Sequence, residues 1–175
     1  MRISLSRWNY YMTIKDNQRA AFAASLHSQM LKNKNIWVVT GDLGYGMWDR
    51  IRDDFPDRYL NVGASEQAMM GIAIGLALEG KIPFTYSITT FLLYRPFETI
   101  RNYINYEKIP VRLVGSGRDK DYSHDGISHW PLEDKQVLKI LGNIEARWPD
   151  DVKEIPSIVR EMVKNNKPWY VNLRR

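Results

Sequence analysis

A chain of 175 residues with 44% hydrophobic and 26% charged side chains is long enough to bury one proper core, which excludes a disordered chain and leaves little room for a second large domain. The net charge of +5 comes from scattered bases, Arg50 and Arg52 among Asp49, Asp53 and Asp54 and Arg118 and Lys120 between aspartates, so no basic stripe is offered to nucleic acid. Cysteine is absent, which removes disulfides, thiol nucleophiles and thiolate metal sites together.

Residues 1–13 show no period and no apolar core of a secretion signal, and are expected to form an N-terminal arm on a domain spanning 14–175. No run approaches the roughly 20 apolar residues of a membrane span. The expected location is therefore the cytoplasm. Asp16 and Asn17 can cap a helix running to about Lys32, with Ala20, Ala24 and Leu31 along one face. Residues 36–39 read as a short strand buried on both sides, ending in Thr40-Gly-Asp-Leu-Gly-Tyr-Gly46. Residues 60–62, 82–86, 111–114 and 169–173 read as further strands, with a weaker signal at 143–147. Between them lie helical patterns: one opened by Ala64 or Ser65 and closed by Gly80, then 94–107, 132–141 and 151–164. Short apolar strands alternating with helices predict an α/β fold of three layers, α/β/α, around a mostly parallel sheet. Ligands gather at the carboxyl ends of the strands in such sheets. The loops there, 41–46, 62–66, 87–91 and 115–129, hold most of the unusual residues.

Two stretches carry chemistry. In Asn61-Val-Gly-Ala-Ser-Glu-Gln67, a glycine turn leads into Glu66 and then into a run of small and apolar residues. A carboxylate in the first turn of so apolar a helix is costly to ionise unless something hydrogen-bonds to it, although an acid there also suits the helix dipole. In Thr90-Phe-Leu-Leu-Tyr-Arg-Pro-Phe97, Phe91, Tyr94 and Phe97 recur every third residue, a spacing that suits either a slot for a flat ring or a core.

Four blocks in order, Gly41-Asp-Leu43, Asn61 to Gln67 with the small-residue helix, Thr90 to Phe97, and Asp125-Gly-Ile-Ser-His129 followed by Trp130 and Pro131, resemble the pyrimidine-binding domain of thiamine-diphosphate enzymes of the transketolase and deoxyxylulose phosphate synthase group. The resemblance covers roughly residues 16–174. It implies that Glu66 hydrogen-bonds the ring nitrogen of the cofactor's aminopyrimidine, with Phe91, Tyr94 and Phe97 packed around that ring and Asp42 and Leu43 beside it. It implies that Asp125 and His129 meet substrate hydroxyls, and that Arg19 and Arg174 hold a sugar phosphate, a task suited to guanidinium forks.

The chain departs from the family at two phosphate contacts, where Gly46 stands for a serine and Gly117 for a histidine. Arg112, Arg118 or the backbone amides of residues 115–117 are the available substitutes. No metal site is assigned to this chain, the set His124, Asp125 and His129 being too poor in histidine for zinc. Gly41-Asp-Leu43 is not the Gly-Asp-Gly magnesium motif, so the resemblance implies a separate diphosphate-binding chain that holds Mg²⁺ and the diphosphate. The expected assembly is a hetero-oligomer such as a heterotetramer, with a sugar or sugar-phosphate substrate and neither nucleic acid nor membrane as partner. Gly71 and Gly75, with Ala64 and Ala68, allow close packing along the central helix, either at that contact or within the domain. One component of a split 2-oxo acid decarboxylase and a non-catalytic stabilising component are the alternatives.

Overall fold

The structure is a computed structural model that describes residues 17–175, so the expected arm over 1–13 lies outside the described residues. Asn17 opens α1 (Gln18–Met30), its side chain accepting the Ala20 N–H at 3.0 Å. The chain continues through β1 (Ile36–Thr40), α2 (Asp49–Asp54), β2 (Tyr59–Asn61), α3 (Glu66–Leu78) and β3 (Ile82–Ile88). After them come α4 (Thr89–Tyr94), then α5 (Phe97–Thr99), which runs on into a π-helical turn (Ile100–Tyr106), and β4 (Arg112–Ser116). The last elements are α6 (Asp134–Ile140), β5 (Glu145–Arg147), α7 (Ile155–Lys164) and β6 (Trp169–Leu173). The six strands form one sheet in the order β2-β1-β3-β4-β6-β5, every neighbouring pair parallel. This is the expected α/β architecture.

Alternation along each strand divides the core in two. Ile36 and Val38 of β1, Phe84 and Tyr86 of β3 and Val171 and Leu173 of β6 pack with Phe22, Leu26, Ile158 and Met162 of α1 and α7. Val39, Leu113 and Tyr170 face the other way, onto Met69, Met70 and Ala73 of α3 and Leu92 and Leu93 of α4. Because both faces are covered, the strands read as continuous apolar runs rather than as alternating ones. Among the described residues, no helix is long and apolar enough to cross a membrane.

Two elements differ from expectation. The helix expected over 94–107 is broken: α4 ends at Tyr94, and the chain restarts at Phe97 after Pro96, which has no N–H to carry the ladder forward. The helix α2 was not foreseen, because its six residues bury only Ile51 and so present no period to read.

Arg112 is the clearest correction. It lies at the start of β4, far along the strand from the sheet's carboxyl edge, and is buried at 1% exposure. Its guanidinium donates to the carbonyl oxygens of Met162 at 2.9 Å, Asn165 at 2.7 Å and Pro110, closing the C-terminal end of α7. Burial pushes this guanidinium down to about 10. It serves the fold and is not available to a phosphate. Arg112→Ala should lower stability by about 3 kcal/mol, since charge-assisted hydrogen bonds are lost and buried carbonyls are orphaned. Urea unfolding checks this as a lower midpoint at unchanged slope, and Arg112→Lys should recover only part of the loss, because an ammonium cannot reproduce the fork.

Candidate active site

The connection leaving β1 goes outward to β2, while the one leaving β3 goes to β4 on the opposite side, so the carboxyl ends of β1 and β3 bound a crevice at the switch point of the sheet. Gly41 follows β1 there, and Glu66, the first residue of α3, lies over it. A Cβ on Gly41 would stand 3.4 Å from the Gly63 carbonyl oxygen and 3.7 Å from Glu66 Oε1, in ordinary van der Waals contact with both, so Gly41 lies directly beneath the acid. Asn61 ties the two loops together, its Oδ1 accepting the N–H groups of Asp42 and Gly63, each at 3.0 Å. Gly63 takes φ +72°, a left-handed turn that lets the chain re-enter as a helix with Ser65 as its N-cap.

Glu66 is only 4% exposed, and both its oxygens are engaged. Ser87 Oγ, on the α3-facing side of β3, lies 3.4 Å from Oε1. Arg95 Nη1 donates to Oε2 at 2.8 Å from a side chain that is 48% exposed. The same guanidinium lies over the Phe91 ring, 3.7 Å from its centroid. Phe91 and Arg95 sit four residues apart, on one face of a helical turn.

From Phe91 the site continues sideways. Its ring meets the His129 ring edge-on at 4.9 Å, and the Tyr122 ring lies 5.7 Å from that of His129. His129 is held by Ser128 Oγ, 2.9 Å from Nδ1, and Ser128 is held in turn by Thr90 Oγ1, which donates to its carbonyl at 2.6 Å. Beyond Tyr122 come the basic residues. The Arg175 guanidinium lies over the phenol ring at 4.7 Å. Arg174 Nη1 lies 3.7 Å and 3.8 Å from Asp119 and Asp121, and the Arg174 backbone N–H donates to Gln18 Oε1 at 2.9 Å. Arg19 neighbours the buried Tyr86 hydroxyl, whose pKa is raised chiefly by burial. The Arg19 Nε is buried with no hydrogen-bond partner among the described residues.

The expected residues are thus sorted. Glu66 is linked to Phe91 through Arg95, and Phe91 meets His129, whereas the Arg174 backbone is tied to Gln18, next to Arg19 in the chain. Asp125 is exposed on the loop before His129, and its carbonyl accepts from Ser128 Oγ. Asp42 is exposed at φ +54°, where it accepts the Tyr45 hydroxyl at 2.6 Å, a bond that raises the Tyr45 pKa. Leu43 packs on the first core. The three aromatics do not form one slot: Tyr94 packs into the second core, its hydroxyl buried near Glu133 and Asp134 and unpaired among the described residues, while Phe97 lies past the break at Pro96 and is 37% exposed. Residues three apart on a helix drift by about 60° per step, so an i, i+3, i+6 series cannot hold one face.

The substitutes for phosphate contacts also fall away. Arg118 is buried and spent on Asp150, the Pro149 carbonyl and the Asn172 carbonyl. The Gly117 N–H is taken by the Leu173 carbonyl. Among the described residues, Gly71 and Gly75 have nothing within 4 Å of a built Cβ, so the small-residue face of α3 is turned outward and does not pack within the domain.

Sequence reasoning missed Arg95, Ser87, Tyr122 and Asp134. The signal for Arg95 was its i+4 spacing from Phe91, and for Ser87 the alternation along β3. Asp134 had none, because its partners converge from distant elements: Trp148 Nε1 at 2.7 Å, Tyr170 Oη at 2.8 Å and Asn172 Nδ2 at 2.8 Å, all on Oδ2. Thr89 bridges from Asn172 Oδ1 to the Ser116 carbonyl, so this buried cluster braces the floor of the site. Among the described residues, no group of three or more His, Cys, Asp or Glu side chains is placed to hold a metal ion.

A buried carboxylate at the switch point, already holding a flat N–H donor that lies on an aromatic ring, is a half-site able to seat a planar nitrogen heterocycle. The comparisons with known proteins agree with that class. The chain belongs to the family described as transketolase, pyrimidine binding domain, whose model matches residues 16–175. It is 32% identical over 158 residues to a putative transketolase C-terminal section of Methanocaldococcus jannaschii, covering 90% of this chain and 50% of that protein. It is also 32% identical over 120 residues to a subunit of the apulose-4-phosphate transketolase of Actinobacillus succinogenes, covering 69% of this chain and 39% of the relative. Among solved structures, a split-gene transketolase described as an inactive β4 tetramer matches with a TM-score of 0.81 and 31% identity, over 91% of this chain and 52% of that one. Transketolase from Leishmania mexicana, at a TM-score of 0.80 and 21% identity, shares the fold. The chain therefore spans about half the length, or less, of the first of these curated relatives.

Arg95→Met should leave Glu66 buried without its cation and cost about 1–2 kcal/mol, less than a fully buried pair because Arg95 is half exposed. In a urea-unfolding cycle with Glu66→Gln, the double variant should recover part of that loss.

Proposed function

We propose that this chain supplies the pyrimidine-binding half of a two-chain, thiamine-diphosphate-dependent ketol transferase acting on sugars or sugar derivatives. The observation that carries the reading is the seating of a planar N–H donor between Glu66 and Phe91, because an aminopyrimidine ring asks for the same pair: an acceptor for a ring nitrogen and an apolar face to lie on. When bound, the cofactor would supply the electron sink that lets a carbon–carbon bond next to a carbonyl break and form again. The chain's own residues bind and orient. Glu66 holds the ring nitrogen, Ser87 steadies the carboxylate, and Phe91 sets the plane of the ring. His129 and Asp125 face the substrate's hydroxyls, and Arg19 and Arg174 stand where an anionic end would arrive.

In the transfer, the C2–C3 bond of a ketose breaks and its C3 hydroxyl loses a proton, leaving a shortened aldose. The two-carbon ketol unit bonds to the carbonyl carbon of an acceptor aldehyde, whose oxygen gains a proton. No net oxidation occurs. His129 is the side chain of this site suited to carrying such a proton, with Nδ1 fixed by Ser128.

The cofactor's diphosphate and Mg²⁺ are assigned to a partner chain, since Gly41-Asp-Leu43 lacks the metal signature. The outward face of α3, with Ala64, Ala68, Gly71, Ile72, Gly75 and Leu78 exposed, is the surface proposed to meet it in a hetero-oligomer such as a heterotetramer in the cytoplasm. The inactive β4 assembly of the split-gene transketolase supports the further reading that this chain has no turnover by itself.

The test is reconstitution with a diphosphate-binding chain, thiamine diphosphate and Mg²⁺, assayed with a ketose donor and an aldehyde acceptor. The isolated chain should show no transfer, the complex should show it, and Glu66→Gln in the complex should lower kcat by at least about 100-fold. Turnover by the isolated chain, or an undiminished Glu66→Gln complex, would overturn the assignment, and carbon dioxide release from a 2-oxo acid without ketol transfer would redirect it to a decarboxylase.

A further inference from the structure

Arg112 and Arg118 are buried, and each is fixed by several acceptors at once. Arg95 is held differently. Its side chain is half exposed, and among the described residues its guanidinium makes one hydrogen bond, the one to Glu66 Oε2. The backbone that carries it is nonetheless anchored. α4 ends one residue earlier at Tyr94, the Pro96 carbonyl accepts the Ile100 N–H at 3.0 Å, and Gln67 Nε2 at the start of α3 donates to Thr99 Oγ1 at 2.6 Å. Movement at this position therefore falls to the Arg95 side chain, while the turn stays beside Glu66.

What the guanidinium touches is the pair of groups that a flat heterocycle would use. Its Nη1 lies 2.8 Å from Glu66 Oε2, and its central carbon lies 3.7 Å from the centre of the Phe91 ring, a stacking distance. The other carboxylate oxygen is turned to Ser87 Oγ at 3.4 Å, on the scaffold side. A ring that bonded to Glu66 and lay on this face of Phe91 would fill the volume the guanidinium fills, because two planar groups cannot stack on one face at the same place.

We infer that Arg95 is a self-ligand of the site: in the free chain its guanidinium takes the place of the aminopyrimidine between Glu66 and Phe91, and it swings out to solvent when the cofactor binds. The inference rests on the thiamine-diphosphate reading of the same site. Arg95 thus keeps the buried acid paired before the cofactor arrives, and it competes with the cofactor for the acid and the ring face. A binding-competent state that is only a fraction of the population weakens the apparent affinity by that fraction. Removing the competitor restores it.

The test measures dissociation constants by titration calorimetry on the reconstituted complex with Mg²⁺, using thiamine diphosphate and, separately, inorganic diphosphate. Arg95→Met should bind thiamine diphosphate about tenfold more tightly than wild type. Its affinity for inorganic diphosphate, which has no ring to compete with Arg95, should stay within about twofold. Should the methionine variant fail to assemble, Arg95→Lys keeps a cation for Glu66 but gives up the flat face, and should bind thiamine diphosphate about threefold more tightly. A complex that carries out ketol transfer but whose assembled variant binds thiamine diphosphate no more tightly than wild type overturns the inference and leaves the proposed function standing. Equal tightening for both probes places the effect in assembly and overturns it too. A complex that binds no thiamine diphosphate with or without the substitution removes both.

Discussion

The pairing of Glu66 with Arg95 is the interaction on which the site depends. A carboxylate at 4% exposure cannot keep its charge without compensation. Three sources meet here: the N-terminus of α3, the Ser87 hydroxyl and the guanidinium at 2.8 Å. The first two are built into the scaffold, but Arg95 reaches in from a half-exposed position and lies on Phe91. The buried acid is therefore held on its crevice side by a flexible side chain, whose flat shape and N–H donors match what a heterocycle would present. The carboxylate is thereby satisfied in the free chain by a side chain that is itself half exposed.

The fold places this pair through simple rules. A parallel sheet whose connections diverge between β1 and β3 leaves a crevice at their carboxyl ends. Gly41 lies on the crevice floor beneath Glu66, and the left-handed turn at Gly63 aims the first turn of α3 over it. On the far side, the Asp134 cluster and Thr89 bind the ends of β4 and β6 to α6, so the loop carrying His129 rests on a rigid base. The outward face of α3 is left apolar, and among the described residues nothing lies over its two glycines. That face is the surface proposed above to meet a partner chain.

Much of the fold was readable along the chain. Strands buried on both faces show as short apolar runs, and helix ends show through Asn17, Ser65 and Gly80, because these signals depend on neighbours in sequence. Glu66 and His129 were also readable, standing within motifs of fixed spacing. The phosphate substitutes were not: Arg112 and Arg118 look equally available in a sequence, and only the packing shows that one caps α7 and the other is spent on Asp150 and two carbonyls. Composition records a charge but not the carbonyls that surround it.

By itself the sequence determined the α/β class, the order of the strands along the chain and the family, and it marked Glu66 as the candidate acid, since local periodicity and motif spacing are properties of the chain alone. The tertiary structure decided which side chains stand together: Arg95 and Phe91 with Glu66, Tyr94 withdrawn into the core, and the glycines of α3 facing out. Those are contacts between residues far apart in the chain or choices of which way a turn faces, and both are settled by how the helices pack on the sheet rather than by the order of the letters.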